Sequence, residues 1–143
     1  MKPLSKTEIK KAIQAALEKG NWIIRADNDG ISHGGFKWNP VGVWTHAPDW
    51  NDKSECGGGL HGQDINYGGY ITGKRLVFCD TKGRHISIGN DKVKVKAARI
   101  LMIGLPKIKK IKGSLDLRGC DLKGITLPPV SYTHLTLPTI LLV

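Results

Sequence analysis

Apolar side chains recur at Ile9, Ala12, Ile13, Ala16 and Leu17, the three-and-four spacing of one helical face. Ser5-Lys6-Thr7-Glu8 precedes them as a capping box. In such a box the Ser5 hydroxyl takes a first-turn N–H and Glu8 reaches back to the chain entering the helix. Gly20 is placed to end the helix in a left-handed conformation. The pattern predicts a helix over about 5–19 whose stripe faces a core.

The period then changes. Trp22-Ile23-Ile24-Arg25-Ala26 reads as a strand closed by the turn Asp27-Asn28-Asp29-Gly30. Two short strands are predicted around Gly35–Trp38 and Val41–Thr45, broken by Asn39-Pro40. Residues 46–62 read as irregular and glycine-rich, and Gln63–Tyr70 as a short helix interrupted by Gly68-Gly69. Arg75–Cys79 has the character of a buried strand, and His85–Ile88 follows after a turn at Thr81-Lys82-Gly83. Lys92-Val93-Lys94-Val95-Lys96-Ala97 alternates at period two, which places the lysines on one face, and Ala98–Ile103 continues as a strand. One helix packed on a mostly antiparallel sheet is an α+β fold, expected over residues 1–104.

Leu115-Asp116-Leu117-Arg118-Gly119-Cys120-Asp121-Leu122 fits the core of a leucine-rich repeat, which points apolar groups into a solenoid coil. Leu105-Pro106 recurs as Leu127-Pro128, 22 residues later. Residues 105–129 are therefore expected to form one incomplete, truncated leucine-rich-type coil. Residues 130–143 differ again. Val130-Ser131-Tyr132-Thr133-His134-Leu135-Thr136-Leu137-Pro138-Thr139 resembles a sequencing-library adapter translated in one frame. The tail is expected to be adapter-derived, and to pack adventitiously or promote self-association as an uncharged edge strand.

Charge changes the picture of partners. The net charge is +10. Residues 71–129 carry fourteen basic and four acidic groups, whereas residues 31–70 carry two and four. The basic excess belongs to the C-terminal half and suits anionic partners. No apolar run is long enough for a membrane helix, so no membrane partner is expected. Three irregularly spaced cysteines argue for reduced thiols and a cytoplasmic location, the host cytoplasm if the protein is phage-encoded.

Residues 31–70 concentrate the candidate chemistry, with nine of the eighteen glycines, three of the four tryptophans and three histidines, His33, His46 and His61. Cys56-Gly57-Gly58-Gly59-Leu60-His61-Gly62 is the sharpest piece. Successive glycines can turn backbone N–H groups toward an anion, and His61 follows as a phosphate contact or a general acid or base. Gly57, Gly58, Gly59, His61, His46, Trp44 and Trp50 are the expected ligand-binding residues. An enzyme would draw on His61 with Asp64. Zinc would draw on Cys56, His61, Cys79 and His85, although their spacing is not that of a finger or ribbon. Lys92, Lys94 and Lys96, followed by Lys107, Lys109, Lys110 and Lys112, form a stripe that could bind a polyanion such as nucleic acid.

Ala47-Pro48-Asp49-Trp50, the Cys56–Gly62 motif, Tyr70 and the closing Asp91–Leu101 resemble an uncharacterised family of small phage and bacterial proteins. The resemblance covers about half of the chain. It implies a phage or bacterial origin and extends to a role in phage–host conflict, but carries no assigned activity. A more distant likeness to ADP-ribosyltransferase-type folds lacks a downstream glutamate, since none follows Glu55. The expected function is thus a binding domain, not an enzyme, for a nucleotide-like or phosphorylated small molecule, with no cofactor. The alternatives are an enzyme of nucleotide or ADP-ribose chemistry, and a polyanion- or protein-binding module on the basic face.

Overall fold

The computed structural model describes residues 2–32, 35–90, 92–108 and 115–123, together with the backbone pairing of Leu135–Thr136. Helix α1 spans Lys6–Lys19. Ser5 caps it: its Oγ accepts from the Glu8 N–H at 3.2 Å, and Glu8 Oε1 accepts from the Ser5 N–H at 3.0 Å. These bonds hold the Glu8 carboxyl below its ordinary pKa. At the other end Gly20 adopts φ 75° and donates to the Ala16 carbonyl at 2.8 Å.

Among the described residues ten strands follow: β1 (Trp22–Asp27), β2 (Trp44–His46), β3 (Leu60–Gly62), β4 (Tyr70–Gly73), β5 (Arg75–Lys82), β6 (Ile86–Ile88), β7 (Lys92–Val95), β8 (Ala97–Ile103), β9 (Leu115–Cys120) and β10 (Leu135–Thr136). They make a four-stranded antiparallel sheet in the order β1-β5-β8-β2 and a three-stranded antiparallel sheet in the order β3-β7-β6. A three-stranded parallel sheet has the order β10-β9-β4. The protein is α+β.

The four-stranded sheet is central because both of its faces are apolar. Strand alternation sends Trp22, Ile24, Leu76 and Phe78 to the α1 side, where Ile9, Ala12, Ile13 and Leu17 pack against them. It sends Ile23, Val77 and Cys79 to the opposite side, where Leu60, Val93 and Val95 of the small antiparallel sheet cover them. Alternation lets β8 serve both cores as well: Ile100 joins the second and Leu101 the first, beside a register shift against β5 between Phe78 and Cys79. Each fully buried aliphatic or aromatic side chain contributes on the order of 1.5–3 kcal/mol through removal of apolar surface from water.

Three expectations change. An independent leucine-rich coil is not supported. Leu115, Leu117, Cys120 and Leu122 are buried as their spacing implies, but they join the same core as Ala16, Trp22 and Phe78, and β9 pairs in parallel with β4. No helix forms over 63–70, where a turn leads into β4. The predicted strand over 35–38 is reduced to a single bridge at Lys37. The adapter-like tail lies outside the described residues apart from the Leu135–Thr136 pairing. No helix among the described residues is long and apolar enough to cross a membrane.

Candidate functional site

A cavity of about 560 Å³ opens where the three sheets meet. Among the described residues β1 bridges to Gln63, just past the end of β3, at Ile24 alone, through backbone bonds of 2.7 and 2.8 Å. Beyond that point the outer edge of β1 faces the cavity, with β3 beside it and β4 and β9 across from it.

Arg25 is the central side chain of one wall. It is only 8% exposed. Its Nη1 donates to the His61 carbonyl at 3.2 Å, and its guanidinium carbon lies 4.1 Å from the centroid of the Trp38 ring. Its buried Nε has no hydrogen-bond partner, and among the described residues no carboxylate pairs with it. The nearby Asp27 is committed elsewhere: Arg75 grips it with bonds of 2.9 and 3.0 Å, and it also accepts from the Gly30 N–H. A buried guanidinium stays protonated and carries a large desolvation penalty unless it is paired.

His61, from β3, lines the same cavity, and its buried Nε2 likewise has no partner. Burial lowers its pKa first, and the charges of Lys92, Arg25 and Lys94 lower it further, against a weaker opposing pull from Asp49. The imidazole is therefore neutral at pH 7, able to present one N–H or one lone pair to a ligand. Lys92 and Lys74 add positive charge to the lining. The cavity lining is thus richer in positive than in negative side chains, an arrangement suited to an anion.

The glycine loop is organised differently from the expected anion nest. Lys94 is fully buried, and its ammonium donates to Asn51 Oδ1 at 2.8 Å and to the Gly57 carbonyl at 3.1 Å, with the Trp50 ring 5.8 Å away. Gly58 sits at φ +66°, where a Cβ would come within 2.0 Å of the Asn51 amide. Gly57, Gly58 and Gly59 wrap an internal lysine, and none of them lines the cavity. The expected lysine face is corrected by the same fact. Lys94 points inward, Lys92 lies 3.5 Å from the Cys56 sulfur, and Lys96 is exposed. Lys107 is exposed as well, and Lys109, Lys110 and Lys112 lie outside the described residues.

Trp44 and His46 lie on β2, at the far edge of the central sheet, where Lys82 and Arg99 stand 4.2 and 4.5 Å from the Trp44 ring centroid. His33 is outside the described residues. Asp64 does not meet His61. Its Oδ2 is 2.7 Å from His85 Nδ1, while His85 Nε2 is 2.8 Å from the Thr81 hydroxyl. That leaves the four zinc candidates apart: His85 is bonded to Asp64 and Thr81, and Cys79 is buried, its thiol pushed up to about 12. No cluster of three or more metal-ligating side chains occurs among the described residues.

Arg25 itself went unmarked in the sequence reading. The available signal was an arginine within the otherwise apolar run Trp22–Ala26. No protein-family model, no curated protein and no solved structure matches the chain.

Proposed function

We propose that the protein is a binding domain for a phosphorylated small molecule of nucleotide-like type, held in the cavity between β1, β3 and β4. The observation that carries this reading is the gathering of the Arg25 guanidinium, which no carboxylate among the described residues pairs, with Lys74, Lys92 and His61 around one cavity. A phosphate group supplies the negative charge and acceptor oxygens that such a lining favours. The cavity volume falls in the range of small-molecule sites, roughly 300–1,000 Å³. A phage or bacterial setting, with a part in phage–host conflict, is the part of this proposal that follows from the sequence resemblance alone.

Binding without turnover is favoured over catalysis. Thr81, His85 and Asp64 have the residue types of a nucleophile–base–acid chain, but Thr81 is 2% exposed and none of the three lines the cavity. The experiment is calorimetric titration of the protein with inorganic phosphate and nucleoside monophosphates, repeated on Arg25→Met. We expect binding that weakens at least tenfold in the variant. Binding that Arg25→Met leaves unchanged, or no binding of any phosphorylated compound at millimolar concentration, overturns the proposal.

A further inference from the structure

The cavity has two chemically different walls. One carries the buried Arg25 from β1, the neutral His61 from β3 and the half-buried Lys92 from β7. The other comes from the β4–β9 pair and carries Tyr70, Thr72 and Asp121, with Lys74 past the opposite end of β4 from Tyr70, where its N–H donates to Asn28. We infer that the ligand carries a single phosphate group at one end and a flat aromatic ring at the other, as in a nucleoside monophosphate, and that Tyr70 is the platform on which the ring stacks. This rests on the phosphate-binding reading above and specifies its ligand.

Three observations support it. Tyr70 is 58% exposed, although it lies in a strand beside the fully buried Leu117. Its ring is seated against the backbone of Gly119: a Cβ at that position would come within 2.5 Å of the Tyr70 hydroxyl oxygen and 2.8 Å of its Cζ. Glycine at 119 therefore makes room for the ring, which is supported by the strand on one side while much of its surface stays open. A supported, open aromatic ring in a cavity wall offers a large stacking surface at little conformational cost.

The third observation is charge. Asp121 is exposed at this wall and has no salt bridge among the described residues. A carboxylate there disfavours a second phosphate and favours hydroxyl donors such as those of a sugar. Negative charge is thereby directed to the Arg25 end and the neutral part of the ligand to the Tyr70 end. Stacking tolerates different bases, because every base has a π face.

The test compares inorganic phosphate, ribose 5-phosphate and adenosine 5′-monophosphate on the full chain, on Tyr70→Phe and on Tyr70→Ala. Tyr70 is largely exposed, so both variants retain the fold, which thermal unfolding checks. Adenosine monophosphate is expected to bind at least about tenfold more tightly than ribose 5-phosphate to the unaltered protein and to Tyr70→Phe. In Tyr70→Ala that advantage disappears while ribose 5-phosphate binds as before. If the nucleotide has no advantage over the sugar phosphate, or keeps it in Tyr70→Ala, the ring platform is overturned while phosphate binding stands. If none of the three probes binds, phosphate recognition fails and the platform fails with it.

Discussion

Asp64 is bonded to His85, whose opposite ring nitrogen meets the Thr81 hydroxyl. The second Asp64 oxygen accepts from the Asn66 and Tyr67 backbone N–H groups at 2.8 and 3.1 Å. One buried carboxylate therefore fastens the 64–67 turn to the end of β5. Asp64→Ala strands a ring nitrogen and two amides at once, and is expected to cost about 2–4 kcal/mol. Urea unfolding measures it. A loss below about 0.5 kcal/mol contradicts the role of the tie.

Arg25→Met should behave in the opposite way. Methionine keeps an apolar stem against Trp38 but removes a buried charge that no carboxylate among the described residues contacts directly. Ligand-free stability is expected to hold or to rise by about 1–2 kcal/mol, since buried charges cost desolvation. A residue that serves binding at the expense of stability shows this pattern. A marked destabilisation in the absence of ligand would instead assign Arg25 to the core.

His61 gives the acid limb of the stability curve a definite sign. Its folded pKa is lowered, chiefly by burial. Between that value and the unfolded value of about 6.5 the unfolded chain binds more protons. Stability is therefore fully present above about pH 6.5 and declines as pH falls through that window. His61→Gln removes this slope. Denaturation at a series of pH values between about 7.5 and 5 tests it, and an unchanged slope in the variant counts against the assignment.

Thiol reactivity should separate the cysteines. Cys56 is exposed, whereas burial pushes the Cys79 thiol up to about 12 and the Cys120 thiol up to about 11. Cys120 also donates to the Ile71 carbonyl at 3.3 Å. Because only the thiolate attacks, iodoacetamide at pH 8 should modify Cys56 rapidly and the other two only after unfolding. Mass spectrometry of the alkylated protein identifies the sites. Comparable labelling of all three in the native state would contradict the buried environment.

Local signals made the scaffold legible. Ser5, Glu8 and Gly20 define α1 through bonds between near neighbours, short apolar runs place β1, β5 and β8, and two-residue alternation places β7. The site was less legible because distant partners decide it. Period two groups Lys94 with Lys92 and Lys96, but Asn51 and Gly57 supply the acceptors that draw Lys94 inward. The helix expected over 63–70 gives way because Asp64 takes the Asn66 and Tyr67 amides while reaching His85. His61 was singled out as a chemical group, yet its neighbour Arg25 comes from a strand 36 positions away in the chain.

The lone Ile24–Gln63 bridge has a mechanical consequence. Among the described residues it is the one backbone pairing between the central sheet and the small antiparallel sheet, yet Leu60, Val93 and Val95 are clamped on Ile23, Val77 and Cys79 across their faces. The joint is thus glued by side-chain packing rather than stitched by a ladder. The two sheets are expected to exchange their most protected amide hydrogens together, as one cooperative unit, because neither can leave the other without exposing the shared core.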